Sequence, residues 1–196
     1  MAAVRTVTAL RERPRGLVAV ELDGSPWRVL PADAVVRARL TVGRPLDRER
    51  ARELARALRR ADALARAARV LRAGDRSRSE LEERLERAGV PASARGDALA
   101  TLERGGLVDD ERLARSRAET LARRGYGDAA IRADLARRGV DRELVREAVG
   151  ALEPELSRAR RAFAASGAGP RALRRLAGRG FEPDTVRELS TFADGE

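Results

Sequence analysis

The sequence predicts a mostly α-helical protein: three tandem three-helix repeats in an elongated, curved stack, preceded by a small module containing a β-hairpin. Three observations lead there. First, one pattern recurs: residues 79–90 read SELEERLERAGV, 128–140 read DAAIRADLARRGV and 169–181 read GPRALRRLAGRGF. Aligned on Gly89, Gly139 and Gly180, each has a leucine four residues earlier (Leu85, Leu135, Leu176) and an apolar residue just after (Val90, Val140, Phe181). This is a helix closed by a Schellman cap, with glycine in the left-handed position and the next residue packed back on the leucine. Three such ends, 50 and 41 residues apart, mean repeated helical units. Second, aromatics are only 3% of the chain, so its cores must be made of Leu, Val and Ala, which suit thin layers of close-packed helices. Third, strand-like alternation is confined to residues 1–46.

In that N-terminal module, residues 16–30 (GLVAVELDGSPWRVL) form two alternating runs around Asp23-Gly24, a type I′ hairpin signal. A two-residue turn there sets Val20 opposite Trp27 and Val18 opposite Val29, which puts the apolar residues on one face. Residues 4–10 supply a third strand. Residues 31–40 read as a short helix whose Val35, Val36 and Leu40 cover the sheet, since a lone hairpin is marginal.

The first repeat is expected over 47–109. Asp47 caps a helix running to about Ala73, with Leu54, Leu58, Ala61, Ala65 and Ala68 as its apolar stripe and Arg52, Arg56, Arg59 and Arg66 opposite. Ser79 and Glu82 fit a capping box for the second helix, and a third runs from about Ala92 to Arg104. The second repeat, 110–153, opens on a helix capped by Asp109 or Asp110 and ending at Gly125-Tyr126-Gly127. Its middle helix is capped by Asp128, and its last carries Leu144, Val145, Val149 and Leu152. The third, 154–196, has helices starting near Pro154, Pro170 and Pro183, and ends in an acidic tail, Asp194-Gly195-Glu196. Units of this size bury little alone and should stack.

Composition narrows the function. Without His or Cys there is no ordinary zinc site and no Ser–His or Cys–His nucleophile, and without Lys no P-loop. Carboxylates lie scattered among arginines rather than clustered, so no catalytic residue, metal or cofactor is expected, and the chain reads as a non-enzyme. No apolar run approaches a membrane span and residues 1–16 hold no apolar leader core, which fits a cytoplasmic protein. All 41 basic residues are arginine, which reflects a coding bias, but the net charge of +10 does not follow from that bias and favours a polyanionic partner. The most basic stretch is 52–78.

The run Arg76-Ser77-Arg78-Ser79-Glu80-Leu81, then Leu85, Gly89-Val90, Leu102, Gly106-Leu107-Val108-Asp109-Asp110 and Leu113-Ala114, resembles the signature of RecX regulatory proteins. Gly125-Tyr126-Gly127, Ile131, Leu135 and Gly139-Val140 continue it in the second repeat. The resemblance spans roughly residues 51–192, and the hairpin module is similar to an extension carried by longer members. It departs at Leu113, where the family often has Phe, and in the third repeat, where Pro170 and Ala172 stand in the places of Ser79 and Leu81. The resemblance implies a partner, the RecA recombinase filament on DNA. Binding in its groove would modulate, chiefly inhibit, RecA ATPase, strand exchange and coprotease activity in recombinational repair and the SOS response.

Candidate contacts to RecA, or to single- or double-stranded DNA through a basic face, are Arg52, Arg56, Arg59, Arg60, Arg66, Arg123, Arg124, Tyr126, Arg137, Arg138, Arg174 and Arg175. The paired arginines recur near helix ends, where they also complement the helix dipole. Structural roles fall to Ser79, Leu85, Gly89, Asp109, Asp110, Leu135, Gly139, Leu176 and Gly180, and Asp109-Asp110 reads as a helix cap rather than a metal site. A monomer is expected. The alternative function is a helix-turn-helix-like DNA-binding protein independent of RecA, but its reading helices would lack Asn, Gln and Lys for base edges.

Overall fold

The structure, a computed structural model, describes residues 4–193. The acidic tail, Asp194-Gly195-Glu196, lies outside the described residues. The chain divides into two compact units, Met1–Ala73 with Glu82–Gly105, and Gly74–Leu81 with Gly106–Glu196.

The first unit opens with an antiparallel sheet of β1 (Arg5–Arg13), β2 (Leu17–Leu22), β3 (Ser25–Pro31) and β4 (Pro45–Leu46), ordered β3-β2-β1-β4. Asp23 and Gly24 both take positive φ, 52° and 78°, as a type I′ turn requires. The pairing beyond the turn differs from expectation. Leu22 faces Ser25 and Glu21 faces Pro26, but Val20 then faces Arg28 and Val18 faces Leu30, with an irregularity at Val20–Glu21 that leaves Trp27 as the extra residue. Pro26 has no amide hydrogen to give to the ladder, and a bulge beside it advances β3 by one residue. Leu30 therefore joins Val7, Val18, Val20 and Leu22 in the core, while Val29 is exposed.

Helix α1 (Ala32–Arg37) covers the sheet with Ala34 and Val35, and Leu40 follows into the core; Val36, expected there too, points to solvent at 74% exposure. Helix α2 (Arg48–Leu71) starts at Asp47, whose Oδ1 accepts the Arg50 amide at 2.8 Å. Its buried residues are Leu54, Ala57, Ala63 and Ala67, not the single stripe the spacing predicted, and Ala65 is exposed. The reason is that α2 serves two neighbours: Leu54 and Ala57 belong to the core of the sheet and α1, whereas Ala63 and Ala67 lie about 130° further round the helix on average. Helix α4 (Ala92–Arg104) packs along α2 and buries Ala94, Ala98, Leu99 and Leu102.

Helix α3 (Arg78–Arg87) divides between the units: its first turn belongs to the second and its later residues to the first. The second unit continues with α5 (Asp110–Arg123), α6 (Asp128–Arg137) and α7 (Arg142–Gly150), then α8 (Glu155–Ala164), α9 (Pro170–Gly178) and α10 (Pro183–Ala193). Each triplet has its own core: Ala114, Ala118, Ile131, Leu135, Val145 and Val149 in one, Ala159, Leu176, Phe181 and Leu189 in the other. Small cores of this kind leave much of the work of cohesion to the contacts that join triplets.

Candidate polyanion-binding surface and the joints that space it

The Schellman geometry is present at all three repeated ends. The amides of Val90, Val140 and Phe181 donate to the carbonyls of Leu85, Leu135 and Leu176 at 3.0–3.2 Å, and those of Gly89, Gly139 and Gly180 donate one turn back to residues 86, 136 and 177 at 2.8–3.0 Å. Two of these caps do more than end a helix. The start of α6 is seated on the end of α9: the Gly127 and Ala129 amides donate to the Arg179 and Gly180 carbonyls at 2.9 and 3.1 Å. A side chain on Gly180 would meet Ala130, and one on Gly127 would meet the Phe181 backbone. The start of α3 is seated on the end of α6 through a side chain instead. Ser77 Oγ donates to the Arg138 carbonyl, and a side chain on Gly139 would meet Ser79. Orphan amides at the start of α6 thus meet orphan carbonyls at the end of α9, and at the end of α6 the Ser77 hydroxyl takes the orphan Arg138 carbonyl.

The α3–α6 joint, the first along the chain, gathers most of the family-like motif. The capping box is Ser77 with Glu80, two residues before the expected Ser79 and Glu82: Ser77 Oγ accepts the Glu80 amide at 3.0 Å and a Glu80 carboxylate oxygen accepts the Ser77 amide at 3.1 Å. Ser77 is fully buried, because its oxygen also reaches Arg138. Asp109 caps its own helix through the Arg112 amide, whereas Asp110 reaches away to accept the Arg78 amide at the start of α3, 2.9 Å in each case. Arg138 bridges Glu80 at 3.2 Å and Asp134 at 3.3 Å, and Arg117 grips Asp134 with two bonds of 2.8 and 3.0 Å. The Arg117 guanidinium holds the Asp134 carboxyl below the usual range, with Arg138 adding to the effect against the cost of burial.

The second joint rests on residues that sequence reasoning passed over. Arg158 on α8 is 7% exposed and binds the Asp128 carboxylate, the Tyr126 carbonyl at 3.0 Å and the Glu153 carbonyl at 2.9 Å. Glu155 accepts the amides of Asp128 and Glu182 and the Thr185 hydroxyl. Asp128 therefore does not cap α6 by itself; Gly127 is the N-cap and Glu155 supplies the carboxylate. Burial pushes the Asp128 carboxyl up, and the contact with Arg158 offsets this only in part. The one signal in the sequence was Pro154-Glu155, an acid in the first turn of a helix.

These joints sort the arginine candidates. Arg138 is consumed by the first joint. Arg60 is 12% exposed, bound to Asp33 at 3.0 Å and to Thr101 at 2.9 Å. Arg52 and Arg59 stand exposed on α2 with no carboxylate partner among the described residues, as does Arg48, which sequence reasoning did not single out. Arg56 and Arg66 are exposed and pair only with Glu53 and Asp62 on their own helix, contacts of little strength in water. From Arg48 to Arg59 the row covers about 16 Å of helix on one face. In the second unit, Arg174 and Arg175 are exposed without carboxylate partners, Arg124 is exposed, and Arg123 and Arg137 reach Glu119 and Asp134 only at 3.6 and 3.7 Å. Tyr126 is 39% exposed with the Arg179 guanidinium 5.8 Å over its ring. In each unit these exposed guanidiniums offer positive charge suited to phosphate or carboxylate recognition.

A family model described as the second three-helix domain of RecX matches residues 109–149, beginning at the α5 cap. A regulatory protein RecX from Stenotrophomonas maltophilia is 32% identical over 128 residues, 60% of this chain and 78% of that protein. One from Acidithiobacillus ferrooxidans is 34% identical over 142 residues, 66% of this chain and 89% of that protein. The chain belongs to the RecX family. The fold agrees: a crystal structure of a regulatory protein RecX matches 96% of this chain and all of its own with a TM-score of 0.80 at 20% identity. The structure of RecX from Lactobacillus salivarius matches 69% and 97% at a TM-score of 0.59 and 17% identity. RecX relatives are named regulatory proteins. No helix among the described residues is long and apolar enough to cross a membrane.

Proposed function

We propose that this chain is a non-enzymatic regulator that binds the RecA–DNA filament and modulates, chiefly inhibits, RecA ATPase, strand exchange and coprotease activity in recombinational repair and the SOS response. The observation that carries this reading is the row of uncompensated arginines on α2, in a chain whose relatives are regulators named RecX. A filament presents a long, periodic polyanion, and an arginine row on a rigid helix can follow such a lattice without chemistry. The repeats are taken as 47–109, 110–153 and 154–196, which the two joints support. The protein acts in the cytoplasm as a monomer.

RecA ATPase on single-stranded DNA, titrated with sub-stoichiometric protein, tests the proposal. The wild type should depress the rate, and Arg52→Ser with Arg59→Ser should need several-fold more protein, with the difference shrinking as salt rises. No effect of the wild type at any ratio sinks the regulator reading. An unimpaired double variant would move contact to Arg123, Arg124, Arg174 and Arg175.

A further inference from the structure

The second unit holds a groove of about 470 Å³ between α6 and α7, bounded at one end by Asp128 of the α6–α9 joint. Its floor is apolar: exposed Ala136 beside the edges of Val140, Val145 and Val149, whose bulk belongs to the core of the α5–α7 triplet. Its α7 rim is cationic: Arg142 and Arg146 stand four residues apart and so on one face, while Arg132 on the α6 rim is held by Glu182. The only acid in the lining, Asp128, is already engaged by the buried Arg158. Arg142 has no carboxylate partner among the described residues, and Arg146 pairs with Glu143 on its own helix, with both side chains mostly in solvent. Such a pair is exchangeable.

We infer that this groove docks a short acidic peptide segment of a partner protein, with branched aliphatic or aromatic side chains on the valine floor and carboxylates on Arg142 and Arg146. The volume suits a few side chains rather than a folded surface. Methyl groups underneath are of no use to a phosphate backbone, whereas the two guanidiniums on the α7 rim would repel a basic segment and favour an acidic one. The inference stands apart from the RecA reading, since it concerns a different surface and a different chemistry.

Gly150 allows a clean test. It lines the groove, ends α7 with ordinary helical backbone, and a Cβ built there meets nothing within 4 Å, so Gly150→Trp should fill the groove without disturbing the fold. Circular dichroism confirms folding of each variant. Binding is read on the full chain by fluorescence anisotropy with a labelled peptide alternating glutamate and leucine. The controls are an all-glutamate peptide and one alternating lysine and leucine. The glutamate–leucine peptide should saturate, and either control should bind at least about tenfold more weakly. Gly150→Trp, and Arg142→Glu with Arg146→Glu, should each weaken it by a similar factor. Absence of saturation, equal binding of the all-glutamate peptide, or indifference to Gly150→Trp overturns the inference. So does a wild-type dimer in sedimentation that Gly150→Trp dissociates, since the occupant would then be a second copy.

Discussion

If Gly180 is an interlocking point and not only a helix cap, replacing it with alanine must cost far more than the same change at an unencumbered cap. Gly167 provides the comparison, because it closes α8 with the same pair of backbone bonds, at positive φ, in the same compact unit. A Cβ at Gly167 meets nothing within 4 Å, whereas at Gly180 it falls 2.5 Å from Ala130 Cβ and 2.7 Å from Ala130 N. Holding alanine in the left-handed region costs about 1–2 kcal/mol, part of which the stiffer unfolded chain returns, so Gly167→Ala should lose about 1 kcal/mol. At Gly180 the overlap is with a helix backbone that cannot swing aside, which adds about 1–3 kcal/mol. Pushing the helices apart also weakens the Gly127–Arg179 and Ala129–Gly180 backbone bonds, each contributing about 1 kcal/mol. The expected total for Gly180→Ala is about 3–5 kcal/mol, a fall in Tm of roughly 10 °C for a chain of this size. Urea unfolding followed by circular dichroism, with hydrogen exchange at the Gly127 and Ala129 amides, measures both. Equal losses for the two variants, with both amides still protected, refute the joint.

Other consequences are as specific. Ser77→Ala removes a cap and strands the Arg138 carbonyl in a buried place, so it should cost about 2 kcal/mol in urea, while Ser79→Ala costs a few tenths. Arg158→Met leaves Asp128 partly buried with only Arg132, 3.6 Å away, and should cost about 3 kcal/mol, most of which a second change of Asp128→Leu restores. The two joints should answer acid in opposite senses. Asp134 is held below its unfolded pKa, so its contribution is complete above that value and is lost as pH falls through the folded one; Asp134→Asn should flatten the loss of stability below about pH 4. Asp128 is held above its unfolded pKa, so stability from that site declines as pH rises through the interval, and Asp128→Asn should remove the decline. Urea midpoints across the acid range distinguish them.

What could be read from the sequence was whatever depended on neighbours along the chain. The three Schellman caps, the Asp47 and Asp109 caps and the Asp23-Gly24 turn need only a few consecutive residues, and each formed where the pattern placed it. Misreadings arose where distant parts of the chain intervene. Ser79 and Glu82 make as good a capping box on paper as Ser77 and Glu80; the choice falls to Ser77 because the Arg138 carbonyl, 61 residues away, needs its hydroxyl. The apolar stripe of α2 failed because the helix turns a different face to the sheet and α1 than the one that buries Ala63 and Ala67, a change no single period can express. The hairpin register failed by one residue because a bulge at Trp27 looks, in sequence, like any other strand position.

The same distinction bears on function. The residues that make the chain recognisable as RecX (Ser77, Glu80, Leu85, Gly89, Asp110, Gly139) are occupied with ending helices and seating one on another, and Asp110 caps a helix other than its own. Arg138 shows how little the local sequence says about what an arginine does. It is adjacent to Arg137, yet it is 23% exposed inside a four-residue ion network, whereas Arg137 is 77% exposed beside a distant carboxylate. A motif of this kind reports that a joint is present; on the proposed function, the partner falls to arginines that no joint consumes. Variation at Arg48, Arg52 or Arg59 should therefore change affinity and its salt dependence while leaving the unfolding midpoint in place, whereas variation at Gly139 or Gly180 should do the reverse.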